Sequence, residues 1–247
     1  MRDPVAGPNL HQAEVAVRSG GALIVVAGAG PDMTHLIAQK IAELIAEREL
    51  RPWNILSVSS TGRAAHDLRL AARGLMGSDA DDVQFSTFHT MCLRTLRRHA
   101  ARVDRTPEFV IYGGQEQEFL LASVLNDLSI SAETLSFGEA REWIGQQQDA
   151  LRGPAHAELP RTTHGERLCG RVYSAYEASK QKANAFDFGD VITKTVALFE
   201  HHPEVLAVYL ERFEGILVDG TQVFTIAQRR LLTLFAGERR GECRTSP

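Results

Sequence analysis

The sequence predicts an α/β fold: a parallel sheet flanked by helices, with an all-helical subdomain inserted into it. Three observations carry this. Short apolar runs alternate with helical stretches from the N-terminal region to about Pro107. From Gly113 to about Lys182 the strand signal stops and helical stretches follow one another. The strand signal then returns as "GILVDG", an apolar run ending in Asp219-Gly220. The expected boundaries are 1–112 for the first part of the α/β domain, 113–186 for the helical insertion and 187–247 for the return segment.

In chain order, "NLHQAEVAVRSG" reads as a short helix ending at Gly20, and "ALIVVA" as a buried strand. A helix from about Thr34 carries Leu36, Ile37, Ile41, Leu44 and Ile45 at helical spacing. "WNILSVSS" is a second strand, followed by the helix "GRAAHDLRLAARGL". "DDVQFST" is a third strand, followed by "FHTMCLRTLRRHA". Strands linked by helices in this way cannot pair as hairpins, so they build a parallel sheet. The insertion contains the helices "QEQEFLLASVLNDL", "GEAREWIGQQQDAL" and "ERLCGRVYSAYEASKQKA", with a polar Pro/Gly break before the last. "IAQRRLLTLFAG" is the final helix.

The composition, 44% hydrophobic and 23% charged, suits a globular chain with a sizeable core. A net charge of -4 excludes a global field drawing the chain to DNA or an anionic membrane. Nucleic-acid contact therefore requires a local basic patch. Arg63, Arg69, Arg73, Arg94, Arg97 and Arg98 form such a patch or are solvated helix faces. Cys92, Cys169 and Cys243 include no C-x-x-C pair, which argues against a zinc site and for reduced thiols in a cytoplasmic protein. "MRDPVAGPNLHQ" is not a signal peptide, and no apolar segment reaches the ~18–20 residues of a membrane span.

The strand "ALIVVA" turns through Gly28-Ala29-Gly30 into a helix, the plan of a phosphate-binding loop. Such a loop aims backbone N–H groups at the anion from a helix N-terminus. A lysine then neutralises the outer phosphates and a Ser/Thr hydroxyl holds magnesium. Here the hydroxyl is Thr34, but the chain reads Asp32-Met33-Thr34 where Gly-Lys-Thr belongs. An aspartate at the end of a second strand, Asp219, supplies the usual second magnesium contact.

Together with their surroundings these segments resemble the first RecA-like domain of the UvrD/Rep family of superfamily 1 DNA helicases, with its helical insertion. "PNLHQAEVAV" resembles the Q motif, with Gln12 as its adenine-reading glutamine. "AGAGPDMT" stands where the family has AGAGSGKT, and "ILSVSSTGRAAHDLR" resembles motif Ia. "STFHTMCLRTLRR" is similar to TFHSFCLRxLR, "NAFDFGDVI" to NALDFDDLL, and "ILVDGTQ" to ILVDEYQ. The resemblance covers nearly the whole chain in the family's order. It implies ATP bound through Gln12, Gly28, Ala29, Gly30, Thr34 and Gln222, and magnesium held by Thr34 and Asp219. It implies single-stranded DNA met by Thr61, Arg63, Thr87, Phe88 and His89. A structural, hydrogen-bonding His89 and a core Phe88, beside Met91, fit the same positions. Asp187 and Asp190, at a helix start, read as caps rather than as a catalytic carboxylate pair.

The departures fall mostly on the chemistry. The lysine position is Met33, and the water-activating glutamate position is Gly220. Phosphoryl transfer then lacks both its charge stabilisation and the group that orients water. Pro31 removes an N–H donor, and Asp32 brings a carboxylate suited to cap the helix itself. Ser60 replaces the base-stacking phenylalanine of motif Ia, a contact worth ~1–3 kcal/mol. The sequence ends near where the family's motif III strand begins, and the arginine finger belongs to a second motor domain. By the family's fold, that strand lies between the phosphate-loop strand and the Asp219 strand. The expectation is therefore a sheet with an open centre, filled by a partner, closed by rearrangement, or left in a truncated gene product. The resemblance gives a helicase ATP-binding domain deficient in ATP hydrolysis and unable to unwind DNA alone. The alternative is a non-catalytic pseudo-helicase that binds protein or single-stranded DNA.

Overall fold

The computed structural model describes residues 13–16, 23–27, 33–154, 163–219 and 224–237. Described residues within 1–88, 204–223 and 232–247 form one unit, and those within 89–203 and 224–231 a second. The chain is α/β, with parallel sheet flanked by helices, as the sequence predicts.

In the first unit, β1 (Ala13–Ala16), β2 (Leu23–Ala27), α1 (Met33–Arg48), β3 (Ile55–Ser59), α2 (Gly62–Met76) and β4 (Gln84–Thr87) follow in order. The sheet order is β1-β2-β7-β3-β4, with β7 spanning Gly215–Asp219. All pairings are parallel except β1 with β2. Every residue of β3 is buried, as is β7 from Gly215 to Val218. A strand buried on both faces reads as an apolar run, as "GILV" does, while "ILSVS" places the small Ser57 and Ser59 at buried positions.

Helix α1 turns Ile37, Ala38, Ile41 and Leu44 to one side, a spacing of three and four residues. They pack with Leu68 and Ala72 of α2 and with Ile55, Phe85 and Leu217 of the sheet. Each buried Ile or Leu contributes about 1.5–3 kcal/mol. Thr61 starts α2 by accepting a hydrogen bond from the Ala64 N–H at 3.1 Å. Gly77 ends it at φ 64°, a conformation that a side chain would strain.

The second unit is built mostly from helices. It contains α3 (Phe88–Arg98, which begins at the unit boundary), β5 (Val110–Tyr112), α4 (Gly114–Asp127), α5 (Phe137–Asp149), α6 (His164–Lys182), β6 (Ala185–Asp187) and α7 (Phe188–His201). Leu121, Val124 and Leu125 of α4, Ala140 and Ile144 of α5, and Leu168, Val172, Tyr173 and Tyr176 of α6 share one apolar core. Ser136 with Glu139, and Thr163 with Glu166, close reciprocal caps at the starts of α5 and α6. Helices α8 (Pro203–Arg212) and α9 (Ile226–Phe235) complete the described elements.

Two readings are corrected, and one of three alternatives is selected. The segment read as a helix before Gly20 contains strand β1, paired antiparallel to β2 from Ala13↔Ala27 to Ala16↔Ile24. Pairing satisfies the outer edge of β2, which outweighs the weak local helical pattern of "AEVA". The two three-residue strands β5 and β6, which the sequence reading missed, pair in parallel beside the helices. Of the alternatives for the sheet centre, closure by rearrangement is the one present: β2 pairs directly with β7 from Leu23↔Gly215 to Ala27↔Asp219, and β7 with β3. The hydrogen-bonding edges that an open centre would strand are thereby satisfied.

Ile41→Ala, at a residue with no exposure, should cost about 2–5 kcal/mol in urea unfolding. The exposed Glu43→Ala should stay within about 0.5 kcal/mol of wild type. A loss at Ile41 no larger than that at Glu43 would refute the assigned core.

Candidate functional site

Two places gather the predicted site residues, one in each unit. In the first unit, the register Ala27↔Asp219 brings the C-terminal ends of β2 and β7 side by side. The two strands thus end at the same edge of the sheet, and α1 begins at Met33. Thr34, the second residue of α1, and Asp219 are both half-buried. Thr61 is exposed at the start of α2, and Thr87, half-buried, ends β4. Gln12, Gly28, Ala29, Gly30, Gly220 and Gln222 lie outside the described residues.

The donor chemistry at this edge is mixed. A threonine hydroxyl and an aspartate carboxylate are hard oxygen donors that suit magnesium. The residue opening α1 is Met33, an uncharged thioether that supplies no cation for a phosphate. These residues fit the metal better than they fit the phosphates. Arg63 is largely exposed and lies 3.8 Å from Asp67. Arg73 lies 3.5 Å from Asp81, and Arg69 sits over the Phe85 ring at 5.7 Å. All three arginines on α2 therefore have neighbours within the unit.

In the second unit the site is the turn from β6 into α7. Asp187 is the N-cap: its Oδ1 accepts from the Asp190 N–H at 2.9 Å, and Asp190 Oδ2 accepts from the Asp187 N–H at 3.0 Å. The capping role read from the sequence is present, but both carboxylates do more. Lys180 Nζ, fully buried, donates to Asp187 Oδ2 at 2.8 Å and to Asp190 Oδ2 at 2.5 Å, and pairs with Glu177. Lys194 pairs with the other oxygen of Glu177 at 2.9 Å. Gln148 Nε2 donates to Oδ1 of both aspartates, at 3.0 and 3.1 Å. Glu177, Asp187 and Asp190 converge as a metal-binding set would, yet the cation among them is the Lys180 ammonium.

Three carboxylates and two ammonium groups share this interior, so their charges are settled against one another. Burial opposes the charge on Lys180, but Asp190, Asp187 and Glu177 hold it well above the usual lysine range. Burial also opposes the charge on Glu177, and Lys180 and Lys194 overcome it, bringing that carboxyl down to about 2. Asp190 is pushed up to about 6, by burial first and then by the carboxylates of Asp187 and Glu177, against the pull of Lys180.

Phe188, between the two aspartates, is 57% exposed, and its ring meets His89 edge-on at 6.0 Å. His89 is also hydrogen-bonded to the Phe188 backbone; burial lowers its pKa more than that bond raises it, which favours the neutral ring. Phe88, by contrast, is 5% exposed beside buried Met91, which withdraws its ring from direct contact with a ligand. The sequence reading missed Phe188, Lys180 and Gln148. The signal for Phe188 was present in "DFGD", where a large apolar residue stands at the first turn of a helix; Gln148 gave none, because its partners lie 39 and 42 residues along the chain, and Lys180, though 7 and 10 residues from its aspartates, reads as one more charged residue at a helix end.

The model of the UvrD/REP helicase N-terminal domain matches residues 9–243. The chain is 33% identical over 238 residues to the ATP-dependent DNA helicase PcrA of Staphylococcus aureus, covering 95% of this chain and 32% of that protein. To the ATP-dependent DNA helicase PcrA of Staphylococcus epidermidis it is 32% identical over 246 residues, covering 98% of this chain and 33% of that protein. It thus spans about a third of the length of the relatives it matches. Among the described residues, no helix is long and apolar enough to cross a membrane.

Lys180→Met removes the cation and leaves three buried carboxylates, so it should destabilise the chain by about 3–5 kcal/mol in urea unfolding. A loss below about 1 kcal/mol would show that the ammonium is not their counter-charge. The pH profile has two opposing parts. Glu177, with its pKa depressed, contributes stability above its ordinary 4.5 that is lost as pH falls toward about 2. Asp190, with its pKa raised, contributes stability below its ordinary 3.8 that is lost as pH rises through about 6. Asp190→Asn should therefore remove the loss of stability between those two values, read from melting temperature across pH. An unchanged slope would refute the assignment to Asp190.

Proposed function

We infer, from the premise that this chain belongs to the UvrD/REP helicase N-terminal domain family, that it serves as a DNA-contacting RecA-like domain deficient in ATP hydrolysis. The observation that carries the reading is the pairing of β2 with β7, which keeps Asp219 beside the end of the phosphate-loop strand while lysine and glutamate are replaced by Met33 and Gly220. The scaffold is retained, and the two charges that drive phosphoryl transfer are missing from it. ATP with magnesium, through Thr34, Asp219 and the loop residues Gln12, Gly28, Ala29, Gly30 and Gln222, binds weakly in this reading and is not turned over. We assign residues 113–186 to the helical insertion, between RecA-like segments 1–112 and 187–247.

Single-stranded DNA is the proposed ligand. The exposed Phe188 ring, flanked by neutral His89, offers an apolar face on which a base can stack. Thr61, exposed at the N-cap of α2, and exposed Arg63 suit phosphate contacts. Phe88, being buried, is not one of the contacts in this reading. A second reading is favoured by the retained oxygen donors Thr34 and Asp219: an ATPase subunit whose protein partner supplies a second motor domain and its arginine.

Purified chain should show no ATP turnover stimulated by single-stranded DNA; several turnovers per second would refute the proposed loss of hydrolysis. Met33→Lys should enlarge the rise in melting temperature produced by Mg-ATP, because binding to the native state alone stabilises it. An unchanged rise would refute Met33 as the missing phosphate contact.

A further inference from the structure

The turn that carries Phe188 is held on both sides. Asp187 and Asp190 bracket it, and all four of their carboxylate oxygens are engaged. Lys180 takes one oxygen of each. Gln148, from helix α5, takes the other oxygen of each. Gln148 is 6% exposed, although a glutamine on a helix is ordinarily solvated. Its place is open because residue 189 is a glycine. A Cβ there would lie 2.2 Å from Gln148 Oε1 and 2.7 Å from its Cδ. The backbone of Gly189 is outside the left-handed region, so a side chain there would act through space, by displacing the Gln148 amide, and not through conformation. The related motif has aspartate at this position, in NALDFDDLL against "NAFDFGDVI".

We propose that Gln148 is the positioning residue for the Phe188–His89 surface: its amide bridges Asp187 and Asp190 from the helical side, and the bare Gly189 is what admits it. The proposal rests on the reading of that surface as a contact for single-stranded DNA. Lys180 sets the charge of the turn, and Gln148 sets its direction. An amide that donates to two carboxylates fixes the spacing between them, and with it the first turn of α7. Phe188 is the first residue of that turn, so its ring is presented at one angle and the entropy of ordering it is lost before a base arrives. A side chain at 189 would drive the glutamine off both carboxylates.

The test uses the full chain with para-fluorophenylalanine in place of Phe188, read by fluorine NMR, and fluorescein-labelled oligo(dT), read by anisotropy on unlabelled chain. Wild type should give one narrow resonance. Gln148→Ala should shift or broaden it and weaken oligo(dT) binding several-fold, and Gln148→Asn, one methylene too short to reach both carboxylates, should do the same. Gly189→Ala should reproduce the effect, but should add nothing in the Gln148→Ala background, where the group it strikes is gone. If both Gln148 variants leave resonance and affinity at wild-type values, the positioning role is overturned. Phe188→Ala separates the two claims, with an expected weakening of about tenfold, the size of one lost stacking contact. If Gln148→Ala moves the resonance while Phe188→Ala leaves oligo(dT) binding unchanged, Gln148 is still the positioning residue and the DNA reading falls.

Discussion

The first unit depends on β7 being hydrogen-bonded along both edges. Buried strands tolerate no unpaired N–H or C=O groups, because each lost partner costs its full desolvation. With β2 on one side and β3 on the other, β7 meets that requirement without a further strand between them. The position of Asp219 beside Ala27 follows from that register. The apolar core of α1 and α2 is then built on the sheet that the register creates.

The second unit solves the same problem differently. Its centre holds apolar residues from three helices, and beside them lies a set of fully or nearly buried charges. Buried ion pairs are poor sources of stability compared with well-packed apolar groups, but they are strict about geometry. Lys180 accepts only the arrangement that brings Glu177, Asp187 and Asp190 to one point. The apolar helices hold the unit together, and the charges specify how α6, β6 and α7 meet.

Much of this was legible in the residues. The apolar run "GILV" is the signature of a strand buried on both faces, and β7 lies there; β3 was legible from Ile55, Leu56 and Val58 despite its two serines. The alternation of strand and helix fixed the parallel sheet, because no short turn can join parallel neighbours. Helices α4, α5 and α6 were legible from spacing and from caps such as Ser136 with Glu139. Strand β1 was not, since four residues of "AEVA" carry no period strong enough to decide, and its partner strand decided instead. Strands β5 and β6 are three residues each, shorter than any periodic signal. The closed sheet centre was legible only as one alternative of three, because a family's strand order does not dictate pairing in a chain that departs from it. At the site, Asp187 and Asp190 were legible as caps from their position, whereas Gln148 lies some forty positions away in sequence, and only folding brings it to them.

The burial of Lys180 has a consequence for the time course of the fold. An amine with no exposure and a firmly held proton is out of reach of acylating reagents while the unit stays closed. Surface lysines such as Lys40 are open to the same reagents at all times. The rate at which Lys180 is acylated therefore measures how often the helical interior opens, and a single amine serves as an internal clock for the breathing of the domain.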